Sequence, residues 1–152
     1  MYSLCKRSAP VVFALFALIV SAAPAAAQGP GVRAGVSVDP DQFYFGGHYE
    51  TGELIEYLHL RPNVELGLGD DVTTLSVNIE AIYKFPLRTR RDTTFYAGGG
   101  PAINFYDFDN GSDTQAGLNL LGGIEFGKVF IEVKGGVFDS PNLKVGIGYT
   151  FR

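Results

Sequence analysis

The two histidines of the chain, His48 and His59, lie on either side of a short connection, and each falls on the polar side of an alternating segment. Glu50 and Arg61 stand two residues further along the chain from the respective histidine. Two imidazoles and a carboxylate are ligands that a transition metal ion accepts. The same groups are also suited to an internal hydrogen-bond network, and we favour that interpretation. We therefore predict no metal site and no cofactor here.

A second group of oxygen ligands, Asp107, Asp109 and Asp113, lies in the stretch 107–114. Oxygen ligands at alternate positions are typical of calcium-binding loops. The stretch lacks the complete spacing and the final glutamate of such a loop, and its Asn-Gly pair is a hairpin turn signal. We predict a solvated turn, and the longest loop at its end of the molecule.

The first 27 residues have the pattern of an export signal. Lys6 and Arg7 precede an apolar run that extends from position 11 to 23, and small residues follow as far as Ala27. A basic start, a short apolar stretch and an A-x-A site predict a signal peptide cut after Ala27. The run is shorter than the roughly 20 apolar residues that a membrane-spanning helix needs. The only cysteine, Cys5, lies inside this peptide, so no disulfide is predicted.

The remaining residues, 28–152, are enough for one domain. Without Lys6 and Arg7, ten basic residues face sixteen acidic ones, a net charge of about −6. This balance argues against nucleic acid as a partner, because nucleic-acid recognition requires a basic face.

Residues 28–152 alternate between apolar and polar side chains with the period of a strand and show no helical period. Turns rich in Asp, Asn, Pro and Gly separate the alternating segments. Eight strands are predicted, at 31–38, 42–50, 57–68, 72–86, 93–106, 115–127, 129–138 and 143–152. Most are close to the roughly 9–11 residues with which a tilted strand crosses a bilayer. Pro62 and Pro101 fall inside strands, where we expect a bulge or a distortion.

Alternation alone does not say which face lies inside. A soluble lipocalin-like barrel has its apolar face inward, whereas a membrane barrel turns that face to lipid. Five acids and five bases lie in mid-strand on the polar face, and equal numbers suit an enclosed interior where an unpaired charge is costly. These residues form the predicted lumen charge network: Arg33, Glu50, Arg61, Glu65, Glu80, Lys84, Glu125, Glu132, Lys134 and Lys144.

Aromatic and charged residues sort towards the two ends of the strands. Two aromatic bands, similar to the girdles of outer-membrane barrels, comprise Phe43, Phe45, Phe105, Phe108 and Phe138 at one end and Tyr57, Phe85, Phe95, Phe126, Tyr149 and Phe151 at the other. Connections at the first end carry eight aspartates and no base. Arg88, Arg90, Arg91, Lys128 and Arg152 lie towards the second end. An even number of strands puts both termini at this second end, which in membrane barrels faces the periplasm.

The chain resembles the small outer-membrane barrels of the OmpA/OmpX-like type, over the whole stretch 28–152. The most specific part is the last strand, where Lys144, Gly146, Tyr149 and Phe151 look like that family's C-terminal insertion signal. The resemblance implies recognition by the barrel assembly machinery during insertion. Many members end on the final aromatic, whereas this chain adds Arg152.

We therefore expect an all-β protein, an eight-stranded antiparallel up-and-down transmembrane barrel with short hairpin loops, located in the bacterial outer membrane. Its last strand should pair with 129–138 and 31–38, with Lys144 meeting a lumen glutamate such as Glu132 or Glu125. The expected role is non-enzymatic, structural or at the cell surface, as a monomer with a filled polar lumen. Expected partners are membrane lipid and lipopolysaccharide, the latter through divalent cations shared with the Asp-rich rim. A soluble periplasmic barrel that binds an apolar ligand is the alternative, and a lipid-modifying enzyme is less favoured because no His/Ser-type site lies near the outer end.

Overall fold

The computed structural model describes residues 29–87 and 92–151. The predicted signal peptide and its cleavage site lie outside these residues, as do Arg88, Arg90, Arg91 and Arg152. The described chain forms eight strands: β1 (Gly29–Val38), β2 (Gln42–Glu50), β3 (Leu58–Leu68), β4 (Val72–Lys84), β5 (Thr93–Phe108), β6 (Gly111–Phe126), β7 (Val129–Phe138) and β8 (Leu143–Thr150).

The strands form a closed barrel in which each strand pairs antiparallel with the next and β8 pairs with β1. The predicted fold class is confirmed, as are the two neighbours of the last strand, β7 and β1. Closure leaves every strand with two neighbours, so most of the backbone hydrogen bonds are made between strands. No helix in the described part of the chain is long and apolar enough to cross a membrane.

The barrel carries its apolar side chains on the outside. Val32, Phe43, Leu120 and Ile147 are each about half exposed, whereas the charged and amide side chains that alternate with such residues are buried. This distribution is the reverse of a soluble barrel and is the one that a hydrocarbon surrounding stabilises.

The predicted turn in 107–114 is present, but the prediction that this stretch forms the longest loop at its end was wrong. β5 and β6 extend into this stretch and meet at a two-residue turn, Asp109–Asn110, which is the shortest connection at this end. The Phe108–Gly111 pair closes the hairpin, because continued pairing satisfies backbone groups that a loop would leave to water. The strand ends that the longer connections join, those of β2 and β3 and of β4 and β5, lie at the opposite end of the barrel.

The two prolines distort the ladder less than expected. Pro62 pairs opposite Ile79 in an uninterrupted β3–β4 register, and β2 pairs with β3 only from Asn63 onward. Pro101 keeps its place in the β5–β6 register, while the β4–β5 ladder is interrupted at this level and resumes in the same register. The missing N–H groups are thus accommodated by local gaps, without an inserted residue.

Candidate functional site in the barrel lumen

The inner face of the barrel carries a continuous group of ion pairs. All ten residues of the predicted network occupy inward positions of their strands and point into the barrel. They come from every strand except β5. Nine are buried, and Lys84 is half-buried near the end of β4. The pairs fall into two clusters, one around Glu65 and one around Glu50.

The first cluster centres on Glu65, which is 1% exposed. Its carboxylate accepts hydrogen bonds from Arg33 Nη1 at 3.0 Å, Lys134 Nζ at 3.3 Å and Lys144 Nζ at 2.7 Å. Glu80 completes the cluster through Lys134 and through Arg33 Nη1 at 3.8 Å. Two carboxylates therefore face three cations.

Lys144 meets a lumen glutamate, as predicted, but neither of the two that we named as examples. It reaches Glu65 and not Glu132 or Glu125. Glu132 on the adjacent strand lies opposite Gly146, and Lys144 itself lies opposite Lys134. Lys144 therefore reaches a carboxylate across the barrel, and the two neighbouring lysines share Glu65 as their counter-charge.

The second cluster lies nearer the end that carries the termini. Arg61 Nη2 donates to Glu50 Oε2 at 2.8 Å, and Lys84 Nζ donates to Glu50 Oε1 at 2.5 Å. Lys84 Nζ also lies 3.2 Å from Glu125 Oε2. Neither Arg61 nor Glu50 has measurable exposure, so this pair depends entirely on protein partners.

Glu132 joins the two clusters. Its Oε2 accepts hydrogen bonds from Arg61 Nη1 at 3.0 Å and from the Tyr96 hydroxyl at 2.9 Å. Its Oε1 accepts a hydrogen bond from Arg33 Nη1 at 3.4 Å. Because each cluster contributes a cation to this one carboxylate, the ten side chains form one connected network.

Phe130 fills the space between the guanidinium groups. The Arg61 guanidinium carbon lies 4.6 Å from the Phe130 ring centroid, and that of Arg33 lies 5.4 Å from it. Desolvated contacts of this kind are attractive, because the ring face is electron-rich. Gly148 makes room for the ring, since a Cβ atom at that position would lie 2.1 Å from Phe130 Cζ.

A neutral layer, which the sequence patterns did not single out, lies alongside the ion pairs. Asn78 Nδ2 donates to Asn63 Oδ1 at 2.8 Å, and Asn119 Nδ2 donates to Asn78 Oδ1 at 2.9 Å. Asn104 Nδ2 donates to the Asp139 carbonyl at 3.3 Å, which ties the β7–β8 connection to the inner wall. The inward positions of these asparagines were the only available signal.

The two histidines do not form a joint site. His48 Nε2 lies 3.0 Å from Thr150 Oγ1, and His59 Nδ1 donates to the Thr51 carbonyl at 3.0 Å. His48 pairs opposite Asn63, four residues from His59, a separation of about 13 Å along a strand. Within residues 29–87 and 92–151, no group of three or more His, Cys, Asp or Glu side chains could hold a metal ion.

The four residues of the C-terminal pattern divide between the two faces of β8. Lys144 and Gly146 point inward, and a Cβ atom at Gly146 would lie 2.1 Å from the Tyr44 hydroxyl. Tyr149 and Phe151 point outward with their rings in an edge-to-face contact, 5.1 Å between centroids. The pattern therefore combines an inner packing requirement with an outer aromatic pair.

No protein-family model matches the chain, and no curated protein matches it by sequence. Among solved structures, it is similar to the N-terminal β-barrel domain of Pseudomonas aeruginosa OprF (TM-score 0.57, 16% identity, covering 82% of this chain and 99% of that domain). It is also similar to Neisserial surface protein A (TM-score 0.54, 17% identity, covering 80% and 94%). At these identities the likeness concerns the fold, which is that of the small eight-stranded outer-membrane barrels.

Proposed function

We propose that this protein is an integral outer-membrane barrel, exported through a cleaved signal peptide, whose lumen is closed by its own side chains. Its role is structural or at the cell surface, and it carries out no catalysis. The observation that carries the proposal is the reversed polarity of the barrel, apolar outside and charged inside.

The reversed polarity favours a membrane over water. Outward residues such as Val36, Leu120, Ile131 and Ile147 are each about half exposed, and burying such surface in hydrocarbon is favourable by roughly 25 cal/mol per Å². A soluble barrel that binds an apolar ligand requires an apolar cavity. Here the enclosed positions are occupied by Arg61, Glu50, Glu65 and other buried polar groups.

The charge network supports a closed lumen. Eight-stranded barrels are narrow enough for side chains to fill, and Arg61 with Phe130 and Tyr96 occupies the cross-section. An ion that entered would have to displace paired side chains in a medium of low dielectric constant.

Outer-membrane fractionation and gel migration test the membrane assignment. We expect the protein in the outer-membrane fraction, with a shift in SDS-gel migration between unheated and boiled samples. Recovery as a soluble periplasmic protein without detergent would contradict the proposal.

Planar bilayers test closure. We expect no steady conductance from the intact protein. Large, steady channels would contradict a closed lumen while leaving the membrane assignment intact.

The proposed partners are membrane lipid, lipopolysaccharide and, during insertion, the barrel assembly machinery, with the protein acting as a monomer. Assembly depends on Tyr149 and Phe151 in this proposal, and reconstitution with the purified assembly machinery tests it. The rim aspartates would meet lipopolysaccharide phosphates through shared divalent cations, and an unchanged lipid association in EDTA would count against that contact.

A further inference from the structure

A depression on the outer face of the barrel crosses the seam where the last strand pairs with the first. It has a volume of about 320 Å³, and the outward side chains that line it are Val129 of β7, Ile147 and Tyr149 of β8, and Val32 and Ala34 of β1. Ala34 lies opposite Ile147 on one neighbouring strand and opposite Phe45 on the other. The small methyl group between two larger side chains leaves a depression in the surface, which we call the seam groove.

The lining of the seam groove is apolar and open to the surroundings of the barrel. Val32 and Ile147 are 52% and 54% exposed, and Tyr149 is 37% exposed. Val129 and Tyr149 lie at one level and Ile147 and Ala34 at the next, two residues or about 7 Å further from the rim. A hydrocarbon chain that enters from the rim can therefore contact both levels.

Lys128 is fixed beside the mouth of the seam groove. It directly precedes Val129 in the turn between β6 and β7. Its carbonyl accepts a hydrogen bond from the Thr150 N–H at 2.8 Å, which holds the turn against the end of β8. On the other side of the same turn, the Asp92 carbonyl accepts the Gly127 N–H at 2.9 Å.

The charge of Lys128 has no protein partner. The other five basic residues of the described chain belong to the lumen network, and Lys128 is the one that is exposed. None of the ion pairs among the described residues includes Lys128, and Asp92 therefore does not neutralise it. An apolar groove thus has a cation at its mouth, the arrangement that complements an anionic lipid.

We propose that the seam groove binds a phospholipid with a net negative head group. One acyl chain lies against Ile147 and Ala34, and the phosphate meets the Lys128 ammonium. A lysine near an anionic membrane surface strengthens the association about fivefold. The proposal rests on the proposed function for its bilayer, and the predicted orientation of the termini makes the ligand a lipid of the periplasmic leaflet.

Shape and charge favour this occupant over a second copy of the chain. A two-fold interface sets the same patch of both copies face to face. Two concave grooves would not fill one another, and the two Lys128 side chains would meet at the same level of the membrane, where like charges repel. A lipid offers a flexible chain for the groove and an anion for the lysine.

Binding is measured by NMR on the purified protein in maltoside micelles, with a phosphatidylglycerol and a phosphatidylcholine of the same acyl chains titrated separately. We expect saturable shifts of the Ala34 and Ile147 amides, with about fivefold tighter binding of the phosphatidylglycerol. Shifts that never saturate would indicate an ordinary lipid surrounding and would overturn the proposal. Equal affinity for the two lipids would also overturn it, as would a dimer in sedimentation that Ala34→Leu abolishes.

Two pairs of variants separate the head group from the acyl chain. Lys128→Gln should abolish the preference for phosphatidylglycerol, and Lys128→Arg should keep it. Ala34→Leu fills the groove and should weaken the binding of both lipids about tenfold, the equivalent of roughly two methylene contacts. Ala81→Leu is the matched control and should bind like the wild type, because Ala81 is an outward residue of β4, on the far side of the barrel.

Gel migration without heating confirms that each variant is folded before its titration. An unchanged lipid preference in Lys128→Gln, or wild-type binding by folded Ala34→Leu, would overturn the proposal. The titration requires only the groove and the lysine in a micelle. A failed titration therefore counts against the lipid site, whereas a failed fractionation counts against the outer-membrane assignment.

Discussion

Replacing Glu132 by glutamine perturbs the one carboxylate that joins the two ion clusters. Glu132→Gln preserves the side-chain volume and keeps an oxygen that can accept the Tyr96 hydroxyl hydrogen bond. It removes a negative charge that lies 3.0 Å from Arg61 and 3.4 Å from Arg33. The change therefore tests charge pairing with little change in packing.

The expected cost follows from burial. Glu132 is 5% exposed, Arg33 is 5% exposed and Arg61 has no measurable exposure, so water cannot replace the lost counter-charge. Removing one partner of a buried ion pair destabilises a protein by about 3–5 kcal/mol. Because Arg61 keeps Glu50 and Arg33 keeps Glu65, we expect a loss near the lower value, about 3 kcal/mol.

The measurement is reversible urea unfolding in lipid vesicles, with the folded fraction read from gel migration without heating. Asp71→Asn is the matched control, because Asp71 is an exposed carboxylate on the β3–β4 connection, and we expect a change within about 0.5 kcal/mol. The double variant Glu132→Gln with Arg61→Gln should cost less than the sum of the single variants, since it restores the balance of charge. A Glu132→Gln loss below about 1 kcal/mol, or strict additivity in the double variant, would refute the network as a source of stability.

Three further variants examine the inner face, the outer face and the terminus. Gly148→Ala should destabilise the barrel by about 1–3 kcal/mol in urea unfolding, because the new methyl group clashes with the Phe130 ring. Gly122→Ala is the control and should be nearly neutral, since its methyl group would make only an ordinary contact at 3.8 Å. Val133→Arg places a charge on the middle of the outer face and should cost about 2–4 kcal/mol by urea titration in vesicles, and a cost near zero would argue against a lipid surrounding. Phe151→Ala should slow assembly into vesicles containing the assembly machinery while leaving spontaneous folding in detergent unchanged; equal slowing in both would point to a folding defect.

Alternation predicted the barrel well because it records a property of every strand. When the first and last strands both show the alternating pattern and the number of strands is even, pairing β1 with β8 leaves neither strand with an exposed edge. The ten charged residues were identifiable on the same grounds, since every second residue of a strand points inward. The partner of each charged residue could not be identified from the sequence. Lys144 could reach several carboxylates across the lumen, and its contact with Glu65 depends on strand tilt and stagger, which a linear pattern does not contain.

The hairpin at 107–116 shows a second limit, in the same physical terms. Aspartate, asparagine and glycine in this stretch indicate a turn, but a turn needs only two of these residues, and the backbone continued as strand on both sides. Aspartate is disfavoured in strands, but Asp113 pairs with Tyr106 because strand pairing satisfies the backbone hydrogen-bonding groups of this stretch. Amino-acid composition does not show whether a backbone group will find such a partner. The unpaired edge of β6 follows from that continuation, since β7 ends at Phe138 while β6 extends six residues further. The stretch 111–116 pairs with β5 alone because β5 and β6 both extend beyond β7 at this rim, and no pattern within β6 itself indicates where β7 ends.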